Sequence, residues 1–198
     1  MGLWEAISGR FRAPRANLDV FFGVPSAAIT LETAAGIRPT GAGSVCFRAA
    51  AGAAFAQTQA EVVSLLNEDP DAPDVEVTED GFGFTWLVVH RDPSDLAGLC
   101  TDLHAVNTLL EEQGFGSGLL CSVIAFAATG GAPVGLVYLY KQATFYAFAP
   151  VGPSAPDGQG QRRDNLLEIQ VRDLVAQDLP TEPDLSRWMA VWGAPGLG

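Results

Sequence analysis

The clearest periodic signal in the chain lies between residues 92 and 114. Leu96, Leu99, Leu103, Val106 and Leu110 recur at alternating spacings of three and four, the stripe of a helix that lays one face on a core. Asp92 or Ser94 is placed to cap it, Pro93 suits its first turn and Gly114 stops it. A second helix carries Phe55, Val62, Leu65 and Leu66 and ends near Asn67. A third follows a capping box of Asn165 and Glu168, presents Leu166, Ile169, Leu174 and Val175, and ends at Pro180. At the N-terminus Leu3, Ile7 and Phe11 recur at i, i+4 and i+8 with Trp4 beside them, and Arg10, Arg12 and Arg15 follow. That pattern predicts a short amphipathic helix over residues 1–15.

The remaining apolar runs read as strands. Ala27–Glu32 and Ser44–Arg48 predict short strands around a loop over Gly36–Gly43, and a final turn spans Leu185–Trp192. Val75–Thr78 and Phe82–His90 form a hairpin, because Glu79-Asp80-Gly81 joins them and Asp-Gly supplies the backbone freedom of a tight turn. Leu119–Ala127, Val134–Lys141 and Thr144–Phe148 follow the clearest helix. Gln113–Tyr140 holds no charged residue, but its six glycines and Pro133 argue for two buried strands and a turn rather than a spanning helix. The fold class is therefore α+β, a mainly antiparallel β-sheet with helices packed against it. A weak helix–strand–strand echo links 53–90 and 94–149, without the fixed-period identity of a repeat array. A single domain is expected over 16–192, with a flexible loop at 150–161 and a Gly/Pro tail at 193–198.

Composition narrows the function more by exclusion than by assignment. The 198 residues suffice for one real core, and 23 acidic against 11 basic side chains give a formal net charge of −12. Such a surface repels phosphates, which argues against a nucleic-acid partner. Cys46, Cys100 and Cys121 have no paired spacing and sit among apolar residues, as reduced, buried thiols do. Residues 1–15 lack the apolar stretch of an export signal, and Ala6 stands where myristoylation needs Ser or Thr, so a cytoplasmic location is expected.

Residues that could carry chemistry are few. His90 ends a strand face shared with Phe82, Phe84, Trp86 and Val88, and reads as a solvent-facing strand end more readily than as a base. His104 follows Cys100 by one helical turn, yet zinc needs three or four ligands and no second pair is visible, so no metal or other cofactor is expected. Gly41-Ala42-Gly43 and Gly114-Phe115-Gly116-Ser117-Gly118 lead into strands, whereas phosphate loops lead into helices. Seven carboxylates over residues 68–80 read as a solvated acidic loop, since Ala72 stands where a calcium loop needs glycine.

Two regions suit a binding surface better. The aromatic strands carry Tyr138, Tyr140, Phe145, Tyr146 and Phe148 around Lys141, the only lysine. Arg162 and Arg163 precede a helix N-terminus, where the dipole disfavours cations, and so answer an acidic group within the protein or on a partner. The N-terminal face of Leu3, Trp4, Ile7 and Phe11 fits a membrane interface, a partner groove or the protein's own core.

Several long segments resemble the PspAB family of actinobacterial proteins associated with phage shock protein A. They include Pro39-Thr40-Gly41 leading to Ser44-Val45-Cys46-Phe47-Arg48, Phe82-Gly83-Phe84-Thr85-Trp86-Leu87-Val88-Val89, and Asp102-Leu103-His104-Ala105-Val106-Asn107. Leu136 to Phe148, Gln161 to Glu168 and Glu182-Pro183-Asp184-Leu185-Ser186-Arg187-Trp188 extend the resemblance over nearly the whole chain. It implies an accessory role beside phage shock protein A in envelope stress, with no catalytic residue to carry over. The expectation is a non-enzymatic protein that binds a coiled-coil phage shock protein A homologue near the membrane. Its contacts would be Leu3, Trp4, Ile7, Phe11, Tyr138, Tyr140, Lys141, Tyr146, Arg162 and Arg163. The alternative is an enzyme or small-ligand binder with a pocket between sheet and helices near His90 or His104.

Overall fold

A computed structural model describes residues 16–49, 52–68, 74–152 and 160–197. Its centre is a six-stranded sheet in the order β2-β3-β1-β4-β5-β6, formed by β1 (Arg38–Phe47), β2 (Glu76–Glu79), β3 (Thr85–His90), β4 (Leu119–Ala127), β5 (Pro133–Leu139) and β6 (Thr144–Phe148). Every neighbouring pair in this sheet is antiparallel. The hairpin β2–β3 and the meander β4–β5–β6 flank β1 on opposite sides. The chain is α+β, as the periodicities predict.

Alternation along the strands assigns the two faces. Val45, Leu87, Tyr138 and Phe145 stand in one cross-strand row and belong to the larger core. That core is closed by α1 (Val24–Ala35), α2 (Ala53–Leu66), α3 (Leu96–Glu112) and α4 (Asn165–Val175). Leu99, Leu103 and Val106 of α3 are fully buried in it, each stabilising the fold by about 1.5–3 kcal/mol relative to exposure. The run Leu18–Ala35 is long and apolar enough to cross a membrane by length and composition. In the fold, one face of it, including Phe21, Val24, Ala27 and Leu31, is buried in this core.

Several expectations are corrected. Ala27–Glu32 is helical rather than extended, lying within α1. Pro25 in the first turn favours a helix start, and Gly36 ends it in the left-handed region at φ 64°, donating to Glu32 O. The expected loop over Gly36–Gly43 is mostly β1, whose register against β4 is irregular between Pro39 and Gly43. Gly41, at φ 83°, makes that bend and accepts a hydrogen bond from Arg91 N. The α3 cap is Asp95, which accepts from Gly98 N, while Asp92 closes the turn at Ser94. Asp164, rather than Asn165, caps α4 by accepting from Leu167 N. Across the 150–161 connection, β7 (Pro150–Val151) pairs with β8 (Arg162–Arg163), while the expected flexible loop at 153–159 lies outside the described residues.

The second face of the sheet is covered by the C-terminal segment. It runs beside β6, where Phe145 N donates to Pro180 O and Glu182 N donates to Phe145 O. It then crosses the sheet, burying Trp188, Ala194 and Leu197 against Val123, Val137, Tyr146 and Phe148. Residues read as a tail therefore complete a second, smaller core.

Candidate functional site

Two buried carboxylates fix the path of that segment. Glu182, 1% exposed, accepts from Thr144 Oγ1 at 2.7 Å, Asp184 N at 3.0 Å and Arg187 Nη1 at 3.2 Å. Its carbonyl accepts from the Trp188 indole, and Trp188 stacks on Tyr146 at 5.8 Å between centroids. Glu168, 2% exposed, accepts from Ala149 N and Arg163 Nε, both at 2.9 Å. Arg163 in turn donates to Trp188 O at 2.6 Å and lies over the Phe148 ring. Paired and hydrogen-bonded on all sides, these charges tolerate burial that would otherwise be costly.

The segment leaves one end of the sheet face open, and there a groove of about 330 Å³ forms. Trp86, Leu119, Leu139 and Tyr146 belong to its sheet side, Phe82 and Phe84 to the hairpin tip, and Met189, Val191 and Trp192 to the C-terminal segment. Asp80 holds the hairpin tip in place: its carboxylate accepts from Phe82 N at 2.9 Å, Phe84 N at 3.0 Å and the Trp86 indole at 3.0 Å. Burial pushes the Asp80 pKa up, but the Trp86, Phe84, Phe82 and Gly83 hydrogen bonds outweigh it and hold it below the ordinary 3.8. Phe82 and Met189 stay exposed at 80% and 64%, so the groove has an apolar lip.

Cations lie where the groove meets a neighbouring cavity. A second cavity of about 340 Å³ shares Leu120 and Lys141 with the groove and is also lined by Arg48 and Ser117. Lys141 and Arg48 have no carboxylate partner among the described residues, and Arg48 lies 5.7 Å from the Phe84 ring centroid. The arrangement suits an elongated apolar surface that carries negative charge at one end.

Cys46 and Cys121 also line the groove and are direct cross-strand partners of β1 and β4. Hydrogen bonding to Cys121 and burial push the Cys46 thiol up, and burial alone pushes Cys100 to about 12. Cys100 stands apart in the helical core.

The expected contact residues do not assemble into one surface. Leu3, Trp4, Ile7 and Phe11 lie outside the described residues. The tyrosines are interior: Tyr138 and Tyr146 are 0% and 1% exposed, donate to Asn17 O and Met189 O, and point to opposite faces of the sheet. Tyr140 is buried in the helical core. Alternation along β5 and β6 sends Tyr138 to one face of the sheet and Tyr146 to the other, and both faces are covered there, which defeats the expected aromatic patch. Arg163 is turned inward by Glu168 and Arg162 is exposed on β8, so of the expected contacts Lys141 and the buried Tyr146 line the groove. His90 and His104 line neither cavity: His90 is 3.9 Å from Glu76, and His104 contacts Phe22, Asp19 and Thr108. The groove lies on the sheet face away from the helices, not between sheet and helices as the alternative expected. Met189, Val191 and Trp192 are legible in sequence only as part of the final turn over Leu185–Trp192.

A family model described as PspA associated protein B matches residues 1–196. The chain belongs to that family. No curated protein and no solved structure matches it. The family's description places its members in association with PspA.

Proposed function

We propose that this chain is a non-enzymatic, cytoplasmic accessory protein of the phage shock response to envelope stress, and that it binds a PspA-like coiled-coil partner directly. Family membership supports the association. The observation that carries direct contact is the open apolar groove with Lys141 and Arg48 at one end. An amphipathic helix inserts apolar side chains into such a groove, and acidic residues on the same helix meet the two cations. Elsewhere the net charge of −12 disfavours acidic partners, which concentrates such contacts at the two cations.

Calorimetric titration with the purified PspA homologue of the same organism, at low and raised salt, tests this reading. Binding should weaken with salt, and R48E/K141E should weaken it at least tenfold while the fold is retained. No binding at high micromolar concentration with both proteins folded refutes direct contact. Peripheral membrane contact is proposed for the N-terminal segment: deletion of residues 2–12 should reduce co-flotation with anionic vesicles, and unchanged flotation removes that segment from the reading.

The same groove favours a second reading, a small anionic amphiphile with its chain between Trp86 and Trp192 and its head at Lys141 and Arg48. Quenching of tryptophan fluorescence by a long-chain carboxylate, abolished by R48E/K141E, would favour it. An unchanged spectrum would remove it.

A further inference from the structure

We propose that Cys46 and Cys121 form a redox-active dithiol at the floor of the groove, a modification site that a small disulfide converts to an intramolecular disulfide. The inference stands on sheet register and is independent of any partner. Across the sheet, Trp86, Cys46, Cys121 and Leu139 are successive cross-strand partners, all facing the groove. Directly opposed residues of antiparallel strands have Cα atoms about 4.5 or 5.5 Å apart. Both spacings fall within the roughly 4.4–6.8 Å that a disulfide spans without moving the backbone. The β1–β4 register becomes irregular immediately after this pair, between Cys46 and Phe47, which gives the strands local freedom to adjust their side-chain vectors.

The two thiols are unequal, and the inequality assigns their roles. Cys121 is partly exposed in the groove, whereas Cys46 is buried at 4% and flanked by Cys121 and Trp86. Cys121 is therefore the attacking thiol and Cys46 the resolving one. Cys121 thiolate attacks one sulfur of a small disulfide RSSR, forming a mixed disulfide and releasing RS⁻. Cys46, giving up its proton to the released thiolate or water, then attacks the Cys121 sulfur and expels the second RS⁻. The two protein thiols are oxidised, RSSR is reduced to two RSH, and atoms and electrons balance. Cys100, buried in the helical core on the far side of the sheet, takes no part.

The test uses the native full chain incubated with glutathione disulfide over a graded series of glutathione ratios. Acid quenching, alkylation and peptide mass mapping read each cysteine. The expected result is loss of two of the three free thiols, a 46–121 cross-link, an alkylated Cys100, and full reversal by excess dithiothreitol. Cys46→Ser should accumulate a glutathione adduct on Cys121, because nothing resolves it. Cys121→Ser should stay unmodified while folded, and its tryptophan spectrum checks that it is. Wild-type Cys46 and Cys121 that both remain alkylatable, a persistent Cys121 adduct in the wild type, or a cross-link between two chains would each overturn the proposal.

Discussion

Glu168 offers the sharpest test of how the C-terminal half is held. Its sequence position suggests a capping residue, and loss of a cap costs about 0.5–2 kcal/mol. The structure gives it a different task. Asp164 caps α4, and the buried Glu168 carboxylate joins Ala149 N to Arg163, which itself holds Trp188 O. Glu168→Ala therefore strands the Arg163 guanidinium, whose side chain is 21% exposed, and leaves a buried amide without an acceptor. Breaking such a pair costs roughly 3–5 kcal/mol. With a urea dependence of about 1–3 kcal/mol/M, the unfolding midpoint should fall by at least about 1 M. Glu168→Gln keeps an acceptor without the charge and should fall between Glu168→Ala and wild type. In the cycle with Arg163→Met, the double variant Arg163→Met/Glu168→Ala should fall short of the summed singles by about 1–3 kcal/mol. Equilibrium urea unfolding followed by tryptophan fluorescence measures all of these. A Glu168→Ala loss near 1 kcal/mol, or additive behaviour in the cycle, would return Glu168 to a surface capping role and refute the buried-pair account.

Three further outcomes follow from the geometry. The Asp80 carboxylate has a depressed pKa when folded, so the unfolded chain binds more protons near pH 4 and stability falls as pH drops through the folded value. Asp80→Asn should show a shallower acid loss than wild type in pH-dependent urea unfolding; parallel curves would disprove the linkage. Gly41→Ala places a side chain at φ 83° against the Arg91 carbonyl and should cost more than about 1–2 kcal/mol, measured by the same unfolding assay, whereas a neutral result would mean that β1 bends elsewhere. Trp188→Phe keeps the apolar ring but loses the donor to the Glu182 carbonyl, which the indole contacts at 3.1 Å. It should cost about 1–3 kcal/mol and raise acrylamide quenching of Trp192, and unchanged quenching would uncouple the two residues.

Local pattern determined most of the secondary structure. The heptad-like stripe of Leu96 to Leu110 became α3, the Asp80-Gly81 turn became the β2–β3 connection, and the uncharged run from Gln113 became β4 and β5. These signals survive because each rests on side-chain periodicity and turn chemistry within a few residues. Ala27–Glu32 is ambiguous in sequence because Ala27, Ala28, Ile29 and Leu31 fit a short buried strand and a buried helix equally, and only packing with α3 and α4 decides between them.

The site itself was a tertiary product. Cys46 and Cys121 lie 75 positions apart, and nothing local shows that β1 and β4 are neighbours in that register. Glu168 and Glu182 look like surface acids until Arg163, Thr144 and Arg187 are brought to them. Likewise Tyr138 and Tyr146 look alike in sequence, and their opposite burial follows from the two-residue period of β5 and β6 once the helices and the C-terminal segment have chosen their faces. The amino-acid pattern sets which residues share a face of a strand or helix. Which face meets helices, which meets the C-terminal segment, and where that cover stops short to leave the groove are decided only when distant elements compete for the same apolar surface.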